Sequence, residues 1–264
     1  MGHHNRHFSG DRHALQGAWS PPSSTANFCE EDYAVTRYLA EFINSLTNLI
    51  YVYFALRYMY QPKKATLLAP RVDFMSVSLL ILGISSFLFH ASLRQTLQFA
   101  DELSMLGLAW SLLQGTLTVR NSFVRTRNIN FGLAIVFPLF SAFYVWTGKI
   151  IYHATAFAIA ISVIVLRGHY LFHWLEPPFP TAKRVDWLYR GINALIYLLV
   201  GYFLWNIDLE YCAELRQLRE QVGMPWSWCL ELHGWWHILT AISASQFMDI
   251  LRELREEVDN EKKG

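Results

Sequence analysis

Seven apolar stretches punctuate the chain at residues 39–58, 72–91, 102–119, 129–147, 150–167, 188–206 and 228–250. Each is close to the about 20 residues a helix needs to cross a bilayer. The pattern predicts an all-α fold, an integral membrane bundle of seven transmembrane helices. Several stretches are interrupted by polar residues, which predicts helices packed on one another rather than facing lipid all round. The connections are short, so the pattern predicts one membrane domain over 39–250. A polar N-terminal segment (1–38) precedes it and a charged C-terminal segment (251–264) follows. Residues 1–26, with His3, His4, His7 and His13, read as a solvated tail. The run from Asp249 to Lys263 alternates acids and bases and reads as a solvated, partly helical tail.

Composition narrows the class. Hydrophobic residues make up 53% of the chain and charged residues only 16%, below the about 25% usual in soluble domains. A net charge of +1 without a basic run excludes nucleic acid as a partner. No obligate protein partner is evident. Residues 1–20 lack the apolar core of a signal peptide, so the first apolar span is expected to direct insertion. Fourteen Lys and Arg flank one set of span ends, among them Arg57, Arg71, Arg120, Arg125 and Arg252; seven flank the other. The positive-inside rule then predicts a cytosolic C-terminus and a lumenal or extracellular N-terminus.

This topology gathers polar groups from distant segments at the lumenal face. Ser86 and His90 are four apart and share a helix face near the end of span two. Asp101 heads span three. His233 and His237, also four apart, lie in the first turns of span seven, and two imidazoles at that spacing can hold one zinc ion. A third ligand from another helix leaves a position open for water, the usual form of a catalytic zinc site. His90 is the favoured third ligand, with Ser86 and Asp101 beside it; His153, at the lumenal start of span five, is the alternative. His169 and His173 share the spacing but fall on the cytosolic side. Zinc chemistry assigns Asp101 to moving the water's proton and Ser86 to donating to an oxyanion. Asp101 also suits a helix N-cap, and Ser86 close helix packing.

Ser86-x3-His90, Asp101 eleven residues on, and His233-x3-His237 together resemble the alkaline ceramidases, in a wider superfamily of seven-span hydrolases and receptors. The stretch Asn27-Phe-Cys-Glu-Glu-Asp-Tyr is similar to that family's N-terminal signature, close to D-W-C-E-x-N-Y, with Pro21 and Ser24-Thr25 upstream. The resemblance implies a zinc-dependent amidase that hydrolyses ceramide to a sphingoid base and a fatty acid, in the membrane of the endoplasmic reticulum or Golgi. It implies zinc on His90, His233 and His237, with Ser86 and Asp101 as catalytic residues. It also implies calcium on Asn27, the Phe28 main-chain oxygen, Glu30, Asp32 and Glu41, a set of oxygen ligands suited to that ion. Asn27 stands where the family has Asp, and Asp32 where it has Asn, so three carboxylates are kept. A solvated acidic loop, a non-catalytic seven-span receptor with structural zinc, and a hydrolase of another membrane lipid are the competing readings. Cys29 and Cys212 both fall on the lumenal side, where disulfides persist, and a bridge between them is expected to pin residues 27–41 over the metal site. Cys229 is expected to be a buried thiol. Trp226, Trp228, Trp235 and Trp236 crowd the lumenal end of span seven as interfacial aromatics.

Overall fold

The computed structural model describes residues 11–60 and 70–262. His3, His4, His7, Arg6, Lys63, Lys64 and Lys263 lie outside the described residues. The described chain is all-helical, with no strand among its elements. In order the helices are α1 (Phe42–Thr47), α2 (Leu49–Met59), α3 (Phe74–Ser92), α4 (Gln95–Leu117), α5 (Phe123–Thr147), α6 (Ile150–His173), α7 (Thr181–Glu210), α8 (Cys212–Val222) and α9 (Leu232–Glu261), with a short 3₁₀ turn at Trp226–Leu230 before α9.

Four helices are long and apolar enough to cross a membrane: α3, α5, α6 and α7, with mean hydropathy between 1.5 and 1.9 over their best windows. The other long elements carry the polar site. The first apolar stretch breaks at Asn48, whose side-chain amide donates to the Asn44 carbonyl at 2.8 Å. That bond satisfies one of the carbonyls left over where α1 ends. Helix α4 holds Asp101 and Glu102 within its apolar run, and the second half of α9 is rich in charge.

Helix starts and stops follow local chemistry. Asp73 caps α3, accepting from the Ser76 backbone N–H at 2.7 Å. Ser122 caps α5 in the same way. Gly148 ends α5 at φ +63°, a left-handed conformation that glycine adopts without strain. Packing is densest where α9 lies along α7, α3 along α4 and α2, and α4 along α6. The main apolar core forms between these helices and includes Leu79, Leu82, Leu112, Ala241 and Met248.

Among the described residues, both the segment from Asp11 and the end of α9 are tied to the bundle. Asp11 pairs with Arg216 and accepts from the Asp32 backbone N–H at 3.1 Å. Ser23 and Ser24 donate their N–H groups to the Leu93 carbonyl at 3.0 Å. The segment is tied down because its backbone completes the end of α3, where Leu93 turns at positive φ. At the other end, α9 continues unbroken to Glu261. Leu251, Leu254 and Val258 are buried on one face at i, i+3 and i+7. Arg252 holds Asp73 at 2.6 Å, and the Trp187 indole donates to Glu253 at 2.7 Å. The helix expected there runs unbroken and is packed as far as Val258, while Asp259, Asn260, Glu261 and Lys262 are exposed.

Candidate metal centre

Two helices bring three imidazoles to the same point. His90 lies in the last turn of α3. His233 and His237 lie in the first two turns of α9. All three are buried, and their candidate ligand nitrogens lie within 4.8 Å of one another. Among the described residues no other three His, Cys, Asp or Glu side chains are gathered so closely. Three converging buried histidines repel one another if all are charged, so the arrangement favours neutral rings with lone pairs to donate.

The hydrogen bonds say which nitrogen is available. His90 Nδ1 lies 2.5 Å from Glu41 Oε2, and both side chains are fully buried. A carboxylate only accepts, so Nδ1 carries the proton and Nε2 keeps a lone pair. His90 Nε2 has no protein partner, and neither has His233 Nδ1. Orphaned nitrogens on fully buried imidazoles are costly unless something outside the protein satisfies them. A borderline-soft divalent cation fits that donor set.

The flanking polar groups divide into those at the centre and those beside it. Asp101 is buried in the first turns of α4 and its Oδ1 has no partner, while the Ser86 hydroxyl donates to its carboxyl. Asp101 does not cap α4, whose N-cap is Arg94. Tyr51 from α2 bonds Thr240 on α9 and sits with its ring 6.4 Å from that of His237. His153 is buried but its Nε2 donates to the Glu102 carbonyl at 2.9 Å, so it is committed to the main chain. His169 and His173 are exposed and their rings lie 4.2 Å apart, away from this group.

Residues 27–41 close over the centre. The Phe28 ring stacks on His233 at 3.7 Å between centroids. Glu41 Oε1 accepts from the Phe28 N–H at 3.2 Å. Glu30 accepts from the Ile43 and Asn44 N–H groups at 2.6 and 2.8 Å, so it caps the start of α1 from outside the helix. Glu30, Asp32 and Glu41 are all buried, and Asn27 Oδ1 and Asp32 Oδ1 have no partner. Burial, then the neighbouring Glu41 and Asp11 carboxylates, push Asp32 up to about 8. Burial also raises Glu30, against the pull of its two backbone donors. Buried, mutually repelling oxygens with unshared lone pairs fit a hard cation.

Cys29 and Cys212 form a disulfide, with Cα atoms 5.3 Å apart across 183 residues. Around it, the Cys29 N–H donates to Asp208 at 3.1 Å, and Arg219 donates to the Cys29 carbonyl at 2.9 Å. Arg219 also pairs with Glu231, the residue before α9, at 2.8 Å. Cys229 is exposed, contrary to the buried thiol expected. It sits on the 3₁₀ turn, whose backbone is held through its carbonyl by the Trp235 indole at 3.0 Å, leaving the thiol outward. Trp226 and Trp235 are also exposed there.

Sequence reasoning missed Thr47, whose hydroxyl lies 3.0 Å from His237 Nδ1, and the bond from His90 to Glu41. A signal existed: Asn44, Ser45 and Asn48 stand inside the first apolar stretch, and all three are fully buried. Polar groups at membrane depth mark function by default.

Fold and site together define a helical membrane protein with a buried three-histidine centre at one end of the bundle. A family model described as Ceramidase matches residues 20–264. Alkaline ceramidase 3 of Mus musculus is 31% identical over 235 residues, covering 87% of this chain and 83% of that protein. Alkaline ceramidase YPC1 of Saccharomyces cerevisiae is 28% identical over 256 residues, covering 92% and 80%. Alkaline ceramidase of Drosophila melanogaster is 25% identical over 236 residues, covering 86% and 77%. The chain belongs to the ceramidase family of enzymes.

Proposed function

We propose that this protein is a zinc-dependent membrane amidase that cleaves the N-acyl bond of ceramide, releasing a sphingoid base and a fatty acid. The observation that carries the reading is the group of three buried histidines, with orphaned ring nitrogens on His90 and His233. Its family membership supplies the substrate class.

His90, His233 and His237 are the residues that would hold zinc, which when bound lowers the pKa of a water toward about 7 and polarises a carbonyl. Asp101 accepts the proton of the attacking water and passes it to the amide nitrogen as the C–N bond breaks and the new C–O bond forms. The Ser86 hydroxyl holds Asp101 while the carboxyl is charged. Once Asp101 carries the proton, that hydroxyl is released to donate to the oxyanion. Asn27, the Phe28 carbonyl, Glu30, Asp32 and Glu41 are the groups we assign to calcium, on the strength of their burial and two orphaned oxygens.

We assign seven spans by pairing α1 with α2 as a broken first span and adding α4 and α9 to the four apolar helices. The site then lies at the lumenal face, with the C-terminus cytosolic and the protein in the endoplasmic reticulum or Golgi membrane. Ceramide keeps both chains in the bilayer while its amide reaches the centre, which accounts for a polar site at the end of an apolar bundle.

The test is release of sphingoid base from ceramide in detergent micelles by purified protein, beside His237→Ala and a chelator-treated sample. Turnover abolished in both and restored to the wild type by zinc supports the reading. A protein that holds one zinc equivalent yet leaves every ceramide intact overturns it.

A further inference from the structure

We propose that Thr47 is a positioning residue for the metal centre, fixing His237 with Nδ1 protonated and Nε2 as the nitrogen that faces the metal. The inference rests on the zinc reading above and concerns only how this chain orients one of its rings.

A threonine hydroxyl has one proton and two lone pairs. Thr47 is the last residue of α1, and its Oγ1 lies 2.9 Å from the Ile43 carbonyl and 3.1 Å from the Asn44 carbonyl. Carbonyls only accept, so the hydroxyl proton is directed into the helix, the usual back-bonding of threonine to the preceding turn. What remains toward His237 Nδ1, 3.0 Å away, is a lone pair. The Thr47 oxygen offered to His237 Nδ1 is thus an acceptor. The ring answers with N–H at Nδ1 and a lone pair at Nε2.

The geometry that permits this contact is local. α9 approaches α1 where it carries Gly234: a Cβ at that position would stand 3.1 Å from Ile43 Cγ2 and 3.3 Å from Thr47 Cγ2. The same short helix therefore orients two ligands, His90 from its N-cap residue Glu41 and His237 from its last residue Thr47. Partners of this kind on the far nitrogen of a ligating histidine set ring orientation and basicity.

The test compares wild type with Thr47→Val, Thr47→Ala and Thr47→Ser, each purified with zinc and titrated with a competing chelator, with thermal midpoints measured alongside. Valine keeps the shape and removes the acceptor; alanine serves where valine disturbs folding; serine keeps the hydroxyl. Expected is a roughly 10–100-fold weaker hold on zinc in the valine and alanine variants, midpoints of the zinc-free proteins unchanged, and recovery in the serine variant. Valine and alanine variants that hold zinc as tightly as wild type overturn the proposal, as does a serine variant that loses as much as they do. A wild-type protein that takes up no zinc overturns the zinc reading as well, which separates the two failures.

Discussion

Glu41 Oε2 lies 2.5 Å from His90 Nδ1, and neither side chain is reached by solvent. The same carboxylate takes the Phe28 N–H and the Asn44 side-chain amide, so it ties a ligand histidine to residues 27–41 and to α1 at once. Glu41→Gln keeps the shape but replaces one accepting oxygen with a donor that cannot face Nδ1–H. The expected outcome is a 10–100-fold loss of zinc affinity or activity, read by chelator competition. Unaltered retention would mean that the bond is incidental.

Asp101 separates metal binding from proton transfer. It is buried, has a free Oδ1, and is not one of the three gathered histidines. Asp101→Asn is expected to lower kcat by about 10²–10⁴-fold with one zinc equivalent retained. Loss of zinc together with activity would place Asp101 in the metal's coordination instead.

The closeness of His233 and His237 was legible in the sequence because one helical turn brings i and i+4 together whatever surrounds them. His90 was legible because a histidine at membrane depth is expensive without a purpose. Thr47 was not, since its contact with His237 spans 190 residues and depends on how closely α9 meets α1. Four helices are long and apolar enough to cross a membrane; α4 and α9 carry polar groups that lower their hydropathy. In the C-terminal half of α9 the helix was legible but its packing was not. Its alternating charges hid an apolar stripe, Leu251, Leu254 and Val258, that only a partner surface makes visible.

The disulfide is one of several ties on the same loop. Asp208 and Arg219 hold the Cys29 backbone from both sides, so the loop keeps its place when the bridge opens. Cys212→Ser is expected to cost about 2–4 kcal/mol, as constraint on the unfolded chain is lost. The measurement is a lower thermal midpoint with zinc still bound; a variant that folds with full stability but sheds its zinc would show the bridge acting on the site directly.

Gly234 gives the sharpest test of how packing sets the site. Alanine in place of glycine inside a helix gains about 1 kcal/mol from propensity. At Gly107 in α4, where a new Cβ meets nothing within 4 Å, Gly107→Ala should show that gain alone. At Gly234 the new methyl meets Ile43 at 3.1 Å and Thr47 at 3.3 Å, and overpacking of that kind costs about 1–3 kcal/mol. Helix α1 cannot easily recede, because Glu30 holds its first turn and Glu41 is locked to His90. The strain is relieved by moving α9, which carries His237 away from Thr47. Gly234→Ala is therefore expected to change stability little, as the two terms offset, while weakening zinc retention measurably. Equal zinc retention in the Gly107→Ala and Gly234→Ala proteins would show that the centre tolerates a shift of α9, and that the close approach of α9 to α1 serves packing alone.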